Sequence, residues 1–182
     1  MIWSTSSSRS RRRLGALALA LALAGLSGSA EAYADAVVPP FEFGVRDVEG
    51  RVVRLDALRG QVVLVDVWAT WCKPCRQSLP FYATLLERHR AQGFVVVAVS
   101  VDKSLDVLRA FVRERKLPFT ILHDPEGKVP AAIGLEDMPT LVLLGRDGQA
   151  VMKHAGFVRS DRARIEAAVR AALGTPPPSP PR

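Results

Sequence analysis

The chain has 182 residues, room for one domain once its unusual ends are set aside. Its formal charge is +7, from 25 Lys and Arg against 18 Asp and Glu; four of those arginines and one glutamate fall in residues 1–34, which leaves 21 against 17, or +4. The remaining basic residues are scattered, with no run of aromatics among them, which excludes a nucleic-acid-binding stripe and fits a solvated surface.

Residues 1–13 carry Arg9, Arg11, Arg12 and Arg13 and no acid, and residues 14–26 are almost purely Leu and Ala. Small residues follow, with Ala-x-Ala patterns at Ala30, Ala32, Ala34 and Ala36. That order predicts a secretory signal peptide over residues 1–34. The apolar run is shorter than the ~20 residues that span a bilayer, so cleavage is favoured over an uncleaved membrane anchor. Ser10-Arg11-Arg12 hints at twin-arginine export, but the residues after it fit that route poorly. No cysteine lies near the cleavage region, which argues against a lipoprotein. Export to the periplasm, or another extracytoplasmic space, places the cysteines in an oxidising compartment.

The expected domain covers residues 35–174. Residues 41–45 and 51–55 read as two short strands joined across Asp47, Glu49 and Gly50, and Gly60 breaks the chain before the next element. Val62–Trp68 is an apolar, β-branched run of the length of one buried strand. Ala69-Thr70-Trp71 then turns the chain into Cys72. From Pro74 the pattern is helical, with Leu79, Tyr82, Leu85 and Leu86 on one side. Pro74 suits a first helical turn, where its missing N–H costs nothing, whereas Pro80 is expected to kink the helix. Gly93 ends it.

Residues 94–101 form a second, continuously apolar strand, which predicts a parallel sheet covered on both faces. Ser104 is placed to cap a helix to residue 116, with Leu105, Leu108, Phe111 and Val112 inward. A strand at 119–122, a helical turn at 128–133, a hairpin of 140–144 with 149–155, and a helix from Ser160 to Gly174 follow. Strands alternating with helices, then a hairpin and a helix, describe an α/β sandwich with a central sheet. Residues 175–182 hold five prolines and are expected to be an extended, disordered tail.

Cys72 and Cys75 are the only cysteines, and they sit where a strand ends and a helix begins. The free N–H groups and dipole of a helix N-terminus stabilise a thiolate, the attacking species in disulfide exchange, and lower a cysteine pKa from about 8.5 toward ~3.5–7.5. A structural staple is the bland alternative. A bridge closing so short a loop restricts the unfolded chain little, and a staple has no use for the flanking Trp71 and Pro74. Asp66 is the one polar residue in the apolar strand, and its neighbours predict burial, where a carboxyl pKa rises.

Asp66, Trp68, Trp71-Cys72-Lys73-Pro74-Cys75, Pro80 and Met138-Pro139-Thr140 together resemble the thioredoxin superfamily, and within it the TlpA/ResA-like periplasmic thiol–disulfide oxidoreductases. The likeness runs from about residue 41 to 173. It implies a thioredoxin-like three-layer sandwich, a mixed sheet flanked by helices, preceded by an N-terminal β-hairpin. It implies a redox-active Cys72–Cys75 disulfide with no other cofactor, Cys72 attacking and Cys75 resolving. It makes Asp66 the acid or base serving Cys75, against the alternative of a hydrogen-bonded structural acid. It makes the Met138-Pro139 bond cis and facing the disulfide, with Trp71, Pro74, Met138, Pro139 and Thr140 meeting the substrate. The implied partners are exported proteins with disulfides, in cytochrome c maturation or oxidase assembly, and a membrane thiol electron donor, with the protein itself a monomer.

Two positions depart from that family. Ser78 stands where its members often carry a glutamate, and Asp66 where they often carry asparagine. Two rivals remain. A copper metallochaperone would use the same two soft thiolates, but the sequence has no Met/His cluster beside them. A peroxiredoxin expects a single attacking cysteine in a Thr-x-x-Cys context, which the Trp-Cys-Lys-Pro-Cys stretch does not provide. His89, His123 and His154 have no nucleophile near them in sequence and read as structural or surface residues; no metal site is expected.

Overall fold

The computed structural model describes residues 44–174. The expected signal peptide, strand residues 41–43 and the proline-rich tail lie outside these residues.

In chain order the elements are β1 (Gly44–Asp47), β2 (Val52–Arg54), a 3-10 turn (Leu55–Leu58), β3 (Val62–Trp68), α1 (Lys73–His89), β4 (Phe94–Ser100), α2 (Leu105–Arg115), β5 (Thr120–His123), α3 (Lys128–Ala132), β6 (Thr140–Leu144), β7 (Ala150–Ala155) and α4 (Asp161–Gly174). The strands form one mixed sheet ordered β2-β1-β5-β4-β3-β6-β7. β3 pairs parallel with β4, from Val62 opposite Phe94 to Trp68 opposite Ser100, and β4 pairs parallel with β5. β6 runs antiparallel to β3, with Thr140 opposite Val67. The N-terminal hairpin joins the sheet antiparallel to β5.

Every residue of β3 is buried, because both faces of the central strand are covered. The pleat sends Val62, Leu64 and Trp68 to one side and Val63, Val65 and Val67 to the other. The first side packs on Leu79, Tyr82 and Leu85 of α1, Leu108 of α2, and Ile165 and Val169 of α4. The second packs on Leu55 of the 3-10 turn and on Val129 and Ile133 at α3. The result is the expected sandwich, with three long helices on one face and short pieces on the other.

Local signals set the helix ends. Ser104 accepts the Val107 N–H at 3.4 Å and starts α2, and Lys116, at φ 50°, ends it. Asp124 Oδ2 accepts the Val129 N–H at 2.7 Å in the first turn of α3. α1 runs as one helix from Lys73 to His89 with Pro80 inside it.

Candidate active site

β3 delivers the chain into a tight turn in which the Cys72 N–H donates to the Ala69 carbonyl at 3.1 Å. Cys72 is the N-cap of α1, with Pro74 in the first turn and Cys75 one turn in. The two sulfurs form a disulfide across Cα atoms 5.3 Å apart. Cys72 Sγ also accepts the Cys75 backbone N–H at 3.3 Å, so this sulfur takes one of the free donors of the helix start. The same donor, with the helix dipole, stabilises a thiolate at Cys72 once the disulfide opens.

The turn is less open at its cysteine than the sequence implies. Trp71 is 66% exposed, but Cys72 only 6% and Cys75 not at all. The accessible edge of Cys72 is thus small, and its chain neighbours Trp71, Lys73 and Pro74 are exposed.

Asp66 lies in the middle of β3, between Ala98 of β4 and Leu141 of β6. It is fully buried, and its position in the pleat puts it on the α1 side of the sheet, where Cys75, Ser78 and Tyr82 are also fully buried. Neither carboxyl oxygen and not the Tyr82 hydroxyl has a partner in full hydrogen-bond geometry. The two groups still act on each other, and Ser78 acts on the phenol. Burial pushes the Asp66 carboxyl well above the ordinary carboxylate range, and Tyr82 pulls back only part of this. Burial likewise pushes the Tyr82 phenol well up, with the charge of Asp66 adding to it. Ser78, in the glutamate position of related enzymes, spends its hydroxyl on the Cys75 carbonyl at 2.9 Å. The sequence showed Asp66 as a buried acid but showed Tyr82 only as one residue of an apolar helix stripe.

The Met138-Pro139 peptide is cis. Because Thr140 pairs with Val67, this peptide and the cysteine turn leave the same end of the sheet, and Met138 packs against the core that holds both cysteines. Thr140 is fully buried and its hydroxyl donates to the Asp137 carbonyl at 2.6 Å, so it shapes the loop from within. The Met138 N–H is held by Asp137 Oδ1 at 2.7 Å, and the Pro139 carbonyl by the Gly156 N–H at 2.7 Å.

A further group at this end of the sheet escaped the sequence. Asp102, 3% exposed, accepts the Thr70 N–H at 2.9 Å, the Thr70 hydroxyl at 2.7 Å and the Ser100 hydroxyl at 2.7 Å. In the sequence it begins Asp102-Lys103-Ser104, which reads as a solvated loop before a capped helix. Of the three histidines, His123 bonds the Asp102 carbonyl at 2.7 Å at this end of the sheet, whereas His154 lies 3.2 Å from Asp161 and His89 packs edge-on to Phe94. Among the described residues no group of three His, Cys, Asp or Glu side chains converges as a metal site.

The profile of the AhpC/TSA family matches residues 35–164, more than half of the chain. The chain belongs to this family. Its match to a thiol–disulfide oxidoreductase ResA of Bacillus cereus is 31% identical over 114 residues, 63% of this chain and 66% of that one. The chain thus spans just under two thirds of that relative's length. A putative thiol:disulfide interchange protein DsbE from Chlorobium tepidum superposes with a TM-score of 0.72 at 37% identity, over 76% of this chain and 96% of that one. StoA from Bacillus subtilis shares the fold, with a TM-score of 0.60 at 22% identity over 72% of this chain and 98% of that one. The described residues have a thioredoxin-like fold similar to that of proteins named ResA and DsbE thiol–disulfide oxidoreductases.

Proposed function

We propose that the protein reduces disulfides of exported partner proteins. The observation that carries this reading is the Cys72–Cys75 disulfide at the start of α1, with the Cys75 N–H on Cys72 Sγ. In the reduced protein the Cys72 thiolate attacks one sulfur of a substrate disulfide. A mixed disulfide forms and one substrate thiolate leaves. Cys75 loses its proton to Asp66 and attacks Cys72 Sγ, which releases the second substrate thiolate and closes the Cys72–Cys75 bond. Two electrons pass to the substrate, and an external dithiol, supplied by a membrane donor, restores them.

The difference in exposure supports the division of labour: substrate reaches Cys72, while Cys75 attacks from within. Asp66, whose carboxyl burial makes a stronger proton acceptor than an exposed one, suits taking and returning the Cys75 proton. The arginine-rich start and Leu/Ala run support export, and substrates in cytochrome c maturation or oxidase assembly are what the resemblance to TlpA/ResA-like proteins implies.

Substrate trapping tests this. A Cys75→Ser variant in intact cells is expected to hold exported proteins as dithiothreitol-sensitive adducts, and Cys72→Ser to hold none. Adducts on Cys72→Ser alone would reverse the two roles. Absence of adducts on both, with no exchange toward a model disulfide, would end the oxidoreductase reading.

A further inference from the structure

The turn that carries Trp71 and Cys72 has few contacts of its own. Its one internal hydrogen bond is the Cys72 N–H to the Ala69 carbonyl. What anchors it comes from the adjacent end of the neighbouring strand. There Asp102, just past β4, receives both donors of Thr70, so that each carboxyl oxygen has at least one donor from the turn. The carboxyl is itself held. Ser100 donates to Oδ2 and accepts the Asp102 N–H at 3.0 Å, His123 of β5 bonds the Asp102 carbonyl, and the Val101 N–H donates to the Trp68 carbonyl at 3.0 Å. Three adjacent strand ends thereby converge on one buried acid.

We propose that Asp102 is a positioning residue of the redox centre: through its two-point hold on Thr70 it fixes the turn that presents Trp71 and Cys72 to substrate. This rests on the reading that Cys72 is the sulfur substrates meet. Two features separate the arrangement from general loop packing. Both donors come from a single residue two positions before Cys72, so rotation of the turn breaks both bonds together. And the N-cap position of Cys72, on which its contact with the Cys75 N–H depends, is set by the backbone that Thr70 anchors. Release of the turn lets Cys72 leave the helix terminus and lose the stabilisation of its thiolate.

The test is the alkylation rate of Cys72 by iodoacetamide from pH 5 to 10, in the Cys75→Ser background where it is the only thiol. Thr70→Val keeps the side-chain shape and removes the hydroxyl donor. Its profile is expected to move up by about one pH unit, with alkylation at neutral pH slower by about tenfold. Thr70→Ser restores the donor and is expected to stay within about twofold of the parent. Asp102→Asn is expected to act in the same direction as Thr70→Val, and if it fails to fold the Thr70 pair still decides. Urea midpoints show which variants are folded under the assay. A Thr70→Val profile that overlays the parent, with or without a lower urea midpoint, overturns the proposal. Disulfide exchange by the two-cysteine parent is measured beside it. A shifted profile with no parental exchange would leave the hold on Cys72 standing and refute the oxidoreductase reading. Parental exchange with an unshifted profile would do the reverse.

Discussion

The Asp66 carboxyl and the Tyr82 phenol meet inside the protein, one from the central strand and one from α1, and neither completes a hydrogen bond. Tyr82 is also the side chain that moderates the raised pKa of Asp66. Tyr82→Phe is therefore expected to raise the Asp66 pKa further. Any step that Asp66 controls moves to higher pH, seen as a shifted pH profile for resolution of a mixed disulfide. Stability changes by less than about 1 kcal/mol, because the lost hydroxyl had no full partner to leave behind. A profile that does not move would separate Tyr82 from Asp66.

Asp66 itself carries a stability cost with a definite pH dependence. Its folded pKa is raised, so the fold favours the neutral acid. That contribution is complete below the unfolded value of about 3.9 and is lost as pH rises through the folded value. Asp66→Asn removes the titration. In the oxidised protein it is expected to be more stable than the parent by about 1–3 kcal/mol near neutral pH, with the gain vanishing near pH 4. The same variant is expected to slow resolution by Cys75. Urea unfolding across pH and stopped-flow reduction of a model disulfide measure the two effects. A structural acid would give the opposite pairing, lost stability with exchange preserved.

Trp71, with two thirds of its surface exposed beside a nearly covered Cys72, offers contact area that a small disulfide cannot use. Trp71→Ala is expected to weaken capture of a protein substrate by about tenfold or more, as loss of an aromatic interface anchor does. Exchange with a small disulfide is expected to stay within about twofold. Competition between the two substrates on one preparation checks the difference.

Asp161 closes the start of α4 by accepting the Val158 N–H at 2.7 Å, and it lies 3.2 Å from His154. The Val158 N–H, and then His154, hold its carboxyl below the ordinary range despite partial burial. A depressed carboxyl stabilises above the unfolded value of about 3.9 and loses that contribution as pH falls through the folded one. Asp161→Ala is expected to cost about 1 kcal/mol at pH 7, in line with loss of a helix-start hydrogen bond, and much less near pH 2. Thermal unfolding at the two pH values checks it.

Hydrophobic pattern carried most of this architecture in the sequence. The unbroken apolar runs of β3 and β4 required cover on two faces, and the switch from strand to helical spacing fixed where Cys72 and Cys75 sit. Contacts that join distant segments were not readable. Thr70 and Asp102 are 32 positions apart, and each is an ordinary loop residue in its own neighbourhood. Tyr82 shares the spacing of Leu79 and Leu86, so its hydroxyl was hidden by the apolar stripe it belongs to. The burial of Cys72 depends on how the turn folds back, which helix-start signals do not report. Pro80 lies inside α1, as its place in the helical pattern implies.

The sheet has unequal cover: α1, α2 and α4 on one face, and the five-residue α3 with a 3-10 turn on the other. The two sides of the molecule should keep different time. Amide protons of α3 depend on a single short turn of helix and are expected to exchange with deuterium through local opening. Those of β3 and β4, paired across seven registered positions, wait for the whole domain to unfold. Among the described residues, proteases and chaperones are therefore expected to act first on the α3 side, opposite α1, which carries the cysteines.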